Sequence, residues 1–168
     1  MKVHDKNFII LALLLLLSVY SVSVFSSEIQ ISISGESDIV LNKDTNSLRN
    51  DFGIYINGYN VDCAGNYMVI WGHPKKINSG NPQSTSFILF SIKNDKVVNI
   101  NYFSKGVFGA DFVHESNYVY VNTDPEVFID ITTGKILHVS NDFDSNDGNN
   151  FESCNKNKSW YYNKYNDR

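Results

Sequence analysis

GADFVHESNYVYVNTDPEVFIDITTGKILHVS, Gly109 to Ser140, is the stretch whose reading decides the fold. Apolar residues alternate in Val119 and Val121, then in Val127, Ile129 and Ile131. After a slip of one position they resume in Ile136 and Val139. A period of two is the mark of strands with one buried face. The connections Glu115-Ser116-Asn117, Thr123-Asp124-Pro125 and Thr132-Thr133-Gly134 are built from turn formers. Proline holds φ near about −65° and glycine accepts positive φ. The stretch therefore reads as four short strands joined by three tight turns. Its apolar face requires a second sheet from elsewhere in the chain.

Upstream lies a diverged copy of the same unit. At an offset of 51, Phe52 falls on Phe103, Gly58 on Gly109, Asn66 on Asn117 and Tyr67 on Tyr118. Past a long insertion the offset becomes 39, and Ile88 to Ile100 (ILFSIKNDKVVNI) falls on Val127 to Val139 (VFIDITTGKILHV). Two unrelated meanders aligning by chance is the competing reading. The expected fold is all-β: antiparallel meanders forming two packed sheets, sandwich-like or a partial propeller, with two blade-like repeats at about 52–102 and 103–140. A polar tail follows over 141–168, and 27–168 is expected to be one domain.

Within the first unit, Asn57-Gly58 between FGIYI and YNVDC fits a type I′ hairpin turn, where both central residues need positive φ. Tyr67 to Trp71 (YMVIW) is a continuous apolar run, as in a strand buried on both faces. Before this unit, Glu28 to Ser34 alternates as a half-buried strand, and Asp38 to Leu41 pairs with it across Gly35. Asn42 to Asp51 reads as a polar, irregular link.

Residues 1–26 read as a secretory signal: Lys2 and Lys6, an unbroken apolar run from Phe8 to Leu17, then small serines with cleavage after Ser23 or Ser26. An uncleaved anchor over Phe8 to Phe25 is the alternative. Removing Lys2, Lys6 and Asp5 leaves 12 basic and 17 acidic side chains, a net charge of −5. An acidic chain without a basic patch speaks against nucleic acid and anionic lipid as partners, and no stable membrane insertion is expected after cleavage. The two cysteines, Cys63 and Cys154, are expected to form one disulfide in an oxidising compartment, either periplasmic or extracellular.

Gly72 to Ser86 (GHPKKINSGNPQSTS) is a polar insertion where the second unit has a tight turn. Loops of this length are functional or merely mobile, and a loop carried by a rigid sheet is a common way to build a binding surface. In the tail, Asp142, Asp144 and Asn146 resemble the opening of a calcium loop. Asp147 holds the position that needs glycine, however, and Ser153 the position that needs glutamate, so a solvated acidic loop is favoured. Trp160, Tyr161, Tyr162 and Tyr165 suggest a closing edge strand or an aromatic contact surface.

Nothing in the chain reads as catalytic. His73, His114 and His138 are scattered, the nucleophile and metal motifs are missing, and Ser153 to Lys156 matches SxxK without its companions. Asp111 and Glu115 form a candidate carboxylate pair, although exposed strand ends are often acidic for solubility alone. No enzyme activity, cofactor or metal is expected.

The order of an export signal, an acidic β domain, the YMVIW strand, a loop with Ser79-Gly80, the strand SFILFSI and the strand KVVNINYF resembles the periplasmic immunity proteins that guard bacteria against their own type VI secretion amidase effectors. The resemblance covers Tyr67 to Val121. It implies a binding protein for a toxin or cell-wall hydrolase, whose Ser-Gly loop blocks the cleft of a peptidoglycan-cutting amidase. Ser79 and Gly80 would then sit at that cleft, with His73, Lys75, Lys76, Asn78 and Gln83 as surrounding contacts. The alternative is a structural or small-ligand envelope module, a sugar binder for example, using Tyr67, Trp71 and the C-terminal aromatics.

Overall fold

The computed structural model describes residues 29–43, 46–76, 79–154 and 159–161. The expected signal at 1–26 lies outside them, as do Asn78, Tyr162 and Tyr165. The described residues form twelve strands: β1 (Gln30–Ser34), β2 (Asp38–Lys43), β3 (Asn46–Asp51), β4 (Ile54–Val61), β5 (Tyr67–Pro74), β6 (Thr85–Ser91), β7 (Lys96–Phe103), β8 (Gly109–Phe112), β9 (Tyr118–Asn122), β10 (Val127–Asp130), β11 (Ile136–His138) and β12 (Ser159–Tyr161). They form three antiparallel sheets in the orders β1-β2-β3, β12-β4-β5-β6-β7 and β11-β10-β9-β8. Among the described residues, no helix is long and apolar enough to cross a membrane.

The central sheet is covered on both faces because β5 and β6 carry unbroken apolar runs, Met68 to Trp71 and Phe87 to Phe90. Val69, Trp71, Phe87 and Leu89 pack with Val119, Val121, Val127 and Ile129 of the third sheet. Their alternate neighbours Met68, Ile70, Ile88 and Phe90 pack with Ile39 and Leu41 of the first sheet and with Ile54 and Ile56 of β4. Burying side chains of this size contributes about 1.5–3 kcal/mol each relative to exposure. The alternation in the quoted meander thus does what its pattern implies: Val119, Val121, Val127, Ile129 and Ile131 are all buried.

The fold is all-β and built of antiparallel meanders as expected, but the described residues form three sheets rather than two. The stretch 42–51 was read as irregular, but Asn46–Asp51 forms β3, pairing with β2 from Asp38↔Asp51 to Lys43↔Asn46. Its side chains are almost all exposed, so it carries no alternation to read; backbone pairing and the Arg49–Asp38 ion pair hold it as an edge. The outermost strand β11 departs in the same sense. Ile136 was expected to face inward, yet all three of its residues are exposed. The interface ends one turn earlier, where the Gly134 carbonyl accepts hydrogen bonds from Asn99 and Asn101 of β7.

Asn57-Gly58 is not a hairpin turn. β4 runs through it, paired with β5 from Ile54↔Pro74 to Val61↔Met68, with a register shift between Ile56 and Gly58 that leaves Asn57 as the extra residue of a bulge. Gly58 stands there for space: a Cβ would lie 2.6 and 2.9 Å from ring carbons of Trp71. The turn comes later, where Asp62 Oδ1 accepts from the Asn66 and Tyr67 amides at 2.7 and 2.8 Å and Gly65 takes φ +71°.

β4–β7 and β8–β11 are meanders of the same strand order, with Tyr67 and Tyr118 opening β5 and β9. The tail is less solvated than its composition suggests. Phe143 and Phe151 fold onto the outer face of the third sheet: the Phe143 ring lies 4.8 Å from that of Phe128 and 5.7 Å from that of Tyr120, and the Phe151 ring 5.6 Å from that of Tyr120 and 5.7 Å from that of Phe143. The Glu152 amide bonds the Phe112 carbonyl at 2.9 Å, and Cys154 then joins Cys63 across a Cα separation of 5.4 Å. Beyond it, β12 adds to the free edge of β4 as the aromatic cluster suggested, with Trp160 stacked on Tyr59.

Candidate functional site

The insertion is shorter as a loop than as a sequence. β5 continues through Gly72 and His73 to Pro74, and β6 begins at Thr85, so the connection proper is 75–84. His73 Nδ1 lies 3.1 Å from the Ser84 carbonyl and spans the base of the hairpin. Lys75 Nζ reaches both oxygens of Asp51 at 3.0 and 2.8 Å. That hydrogen bond lowers the Asp51 carboxyl below its ordinary value and raises the Lys75 ammonium. Both groups are open to water, so the pair fixes position rather than adding much stability. Lys76, Ser79, Gly80 and Gln83 are exposed beyond these anchors. Of the residues singled out around the loop, His73 and Lys75 therefore form its root, while the exposed four stand where a partner can reach them.

A second feature was not read from the sequence. Between β4 and β8, the first strands of the two meanders, lies a cleft of about 450 Å³ roofed by the tail. Asn60 Nδ2 spans it at the base, donating to the Ala110 carbonyl at 3.0 Å and to Asp111 Oδ1 at 3.1 Å. Trp71 contributes an aromatic wall, and Phe108 stands at the rim, 69% exposed. Burial pushes the Tyr120 hydroxyl pKa up, its hydrogen bond with Glu126 adds to this, and its hydrogen bond with Ser145 opposes it. Among the described residues, no lysine, arginine or histidine lines the cleft.

Asp111 opens to solvent on one side and is surrounded by protein on the others. Desolvation therefore raises its carboxyl pKa, with the Asn60 hydrogen bond opposing. A raised folded-state pKa means that the group's stabilising share is fully present below the unfolded value of about 3.9 and is lost as pH rises through the folded value. At pH 7 the ionised group is thus a net cost. Asp111→Asn, which keeps an oxygen for Asn60, is expected to stabilise the protein at pH 7 by less than about 1 kcal/mol, the open side screening the effect. The gain should vanish below about pH 4 in parallel urea titrations. A gain over wild type no larger at pH 7 than at pH 3 would contradict the desolvation of this carboxylate.

Glu115 does not join Asp111. It occupies the β8–β9 turn at φ +50°, its carboxylate 3.8 Å from His114 Nε2. The sequence did hold a signal for the cleft, since the offset of 51 places Asn60 on Asp111, a polar pair at matching positions of two first strands. In the tail, Asp144 accepts from the Asn146 amide, and Asp147 caps the turn Gly148–Asn150. Among the described residues, the group close enough to hold a metal is Cys63, Glu152 and Cys154, and its two sulfurs are joined in the disulfide. No family model matches the chain, and no curated protein or solved structure is significantly similar to it.

Proposed function

We propose that this chain is an exported inhibitory binding protein that engages a protein toxin, a cell-wall hydrolase of the envelope, through the loop 75–84. The observation that carries the reading is the loop's mounting. It springs from β5 and β6, both central strands of a sheet packed on two sides, and its root is pinned by His73 and Lys75. A recognition loop ordered before docking loses less conformational entropy on binding. Ser79 and Gly80 are exposed at the far end, with Lys76 adding positive charge to an otherwise acidic molecule. The disulfide fits an oxidising compartment such as the periplasm or the cell exterior.

The test is a loop replacement that spares the root. Extending the β5–β6 register from Gly72↔Ser86 sets Lys75 opposite Gln83, so 76–82 can be exchanged for Asn-Gly as a two-residue hairpin turn. The intact protein is expected to retain one hydrolase from an envelope extract of the producing cell, to bind it 1:1 when both are pure, and to stop its cleavage of peptidoglycan. The shortened protein should fold normally and bind about 100-fold more weakly, as expected when an interface loses its central contacts. Equal binding by both forms, or capture of no hydrolase by either, would sink the reading.

A further inference from the structure

We infer that the cleft between β4 and β8 is a binding site for an organic cation, a single ammonium or guanidinium group carried on a short apolar stem. This stands apart from the loop, which springs from the β5–β6 connection. The cleft brings two carboxylates, Asp111 and Glu126, together with the aromatic side chains of Trp71 and Phe108. Among the described residues, no basic side chain lines the cleft to neutralise them. In a molecule already acidic overall, a concavity with that lining concentrates cations and repels anions. Aromatic faces attract the same ions, most strongly where water is excluded.

The site is held ready rather than formed by chance exposure. Asn60 fixes Asp111 Oδ1 from one strand, and the Tyr120 hydroxyl, itself bonded to Ser145, holds Glu126 from the other side. Both carboxylates keep acceptor capacity beyond these bonds, since each ionised oxygen pair can take about four. Phe108, 69% exposed beside the opening, is a large apolar side chain with no core to serve, and it is placed to cover the stem of a ligand whose charged end lies inside. Burial disfavours the ionised Asp111, and a bound cation would reverse that cost, so binding should draw the carboxyl pKa down and weaken as pH falls.

The cation could be a free amine or the side chain of a bound peptide, and calorimetric titration of the oxidised protein with two probes separates the sources. n-Butylguanidinium represents the free ligand, and an acetylated, amidated Ala-Arg-Ala peptide represents the side chain. N-acetylglucosamine serves as the neutral, stacking control. Saturable binding of n-butylguanidinium or the peptide is expected, weakening with salt and on acidification, and the tighter of the two identifies the source. Asp111→Asn and Glu126→Gln should each weaken it about tenfold, the usual worth of a hydrogen bond to a charged group. The Asn-Gly loop variant should bind both probes unchanged, so failure of the loop reading leaves this one standing. Binding of neither probe, binding of the sugar instead, or affinities indifferent to both carboxylate substitutions would overturn the assignment.

Discussion

Replacing Cys63 and Cys154 together by serine is expected to remove about 4–5 kcal/mol of folding stability, the loss of loop-closure entropy for so long a loop on the chain-entropy account. The two residues are 91 positions apart and enclose everything from β5 to the tail. Domains of this size are stable by about 5–15 kcal/mol in all, so the variant should sit near the edge of folding at 37 °C. The effect has a structural side as well. The bond anchors the end of the strap that lays Phe143 and Phe151 over Tyr120 and Phe128, and it precedes β12 on the edge of β4. Hydrogen exchange should therefore show 141–154 and β12 opening before the three sheets do. Urea titration reads the total, and wild-type protein under reductant should follow the variant. A loss below about 1 kcal/mol would mean that the ring cluster alone secures the tail.

Much of this architecture could be read from residue order because half-buried strands write their burial directly into alternation. Val119, Val121, Val127, Ile129 and Ile131 point where their period says, and the unbroken YMVIW run is buried on both faces. The misses share one cause. Where a strand is held by backbone pairing instead of side-chain burial, as in β3 and β11, no periodicity marks it. Where composition is polar, two aromatic residues are enough to bind a segment to a sheet. Phe143 and Phe151 did so inside a run of Asn and Asp that reads as solvated.

The two sites differ in the same way. A loop is visible as an interruption of pattern, so its existence and exposed residues could be placed in advance. Its root could not, because the His73–Ser84 and Lys75–Asp51 contacts depend on how far β5 extends and on where β3 ends. The cleft is harder still. It arises from the approach of two strands 50 residues apart, and each of its polar residues taken alone looks like ordinary surface. Repeat alignment was the route to it, since matching positions in stacked units tend to meet.

Gly72→Ala is expected to be the most damaging single substitution in the central sheet, costing about 3 kcal/mol or more. Gly72 is paired with Ile56 beside the bulge at Asn57, where β4 and β5 come unusually close. A Cβ there would lie 2.8 Å from the Tyr55 carbonyl carbon and 3.0 Å from Ile56 Cα, with the Tyr55 oxygen nearer still. These are backbone atoms, so relief requires prising β4 from β5 between two packed cores. Gly58→Ala makes a useful contrast. Its clash is with the Trp71 ring, and a side chain can be exchanged. Trp71→Leu in the Gly58→Ala background should recover part of the loss, a coupling of about 1–3 kcal/mol, whereas Trp71→Leu should do nothing for Gly72→Ala. Urea midpoints for the single and paired variants decide the matter. If Gly72→Ala fell within about 0.5 kcal/mol of wild type, the close approach of the two strands would be wrong. The position of the loop root, which begins one residue later at His73, and of the cleft wall formed by Trp71, one residue earlier, would fall with it.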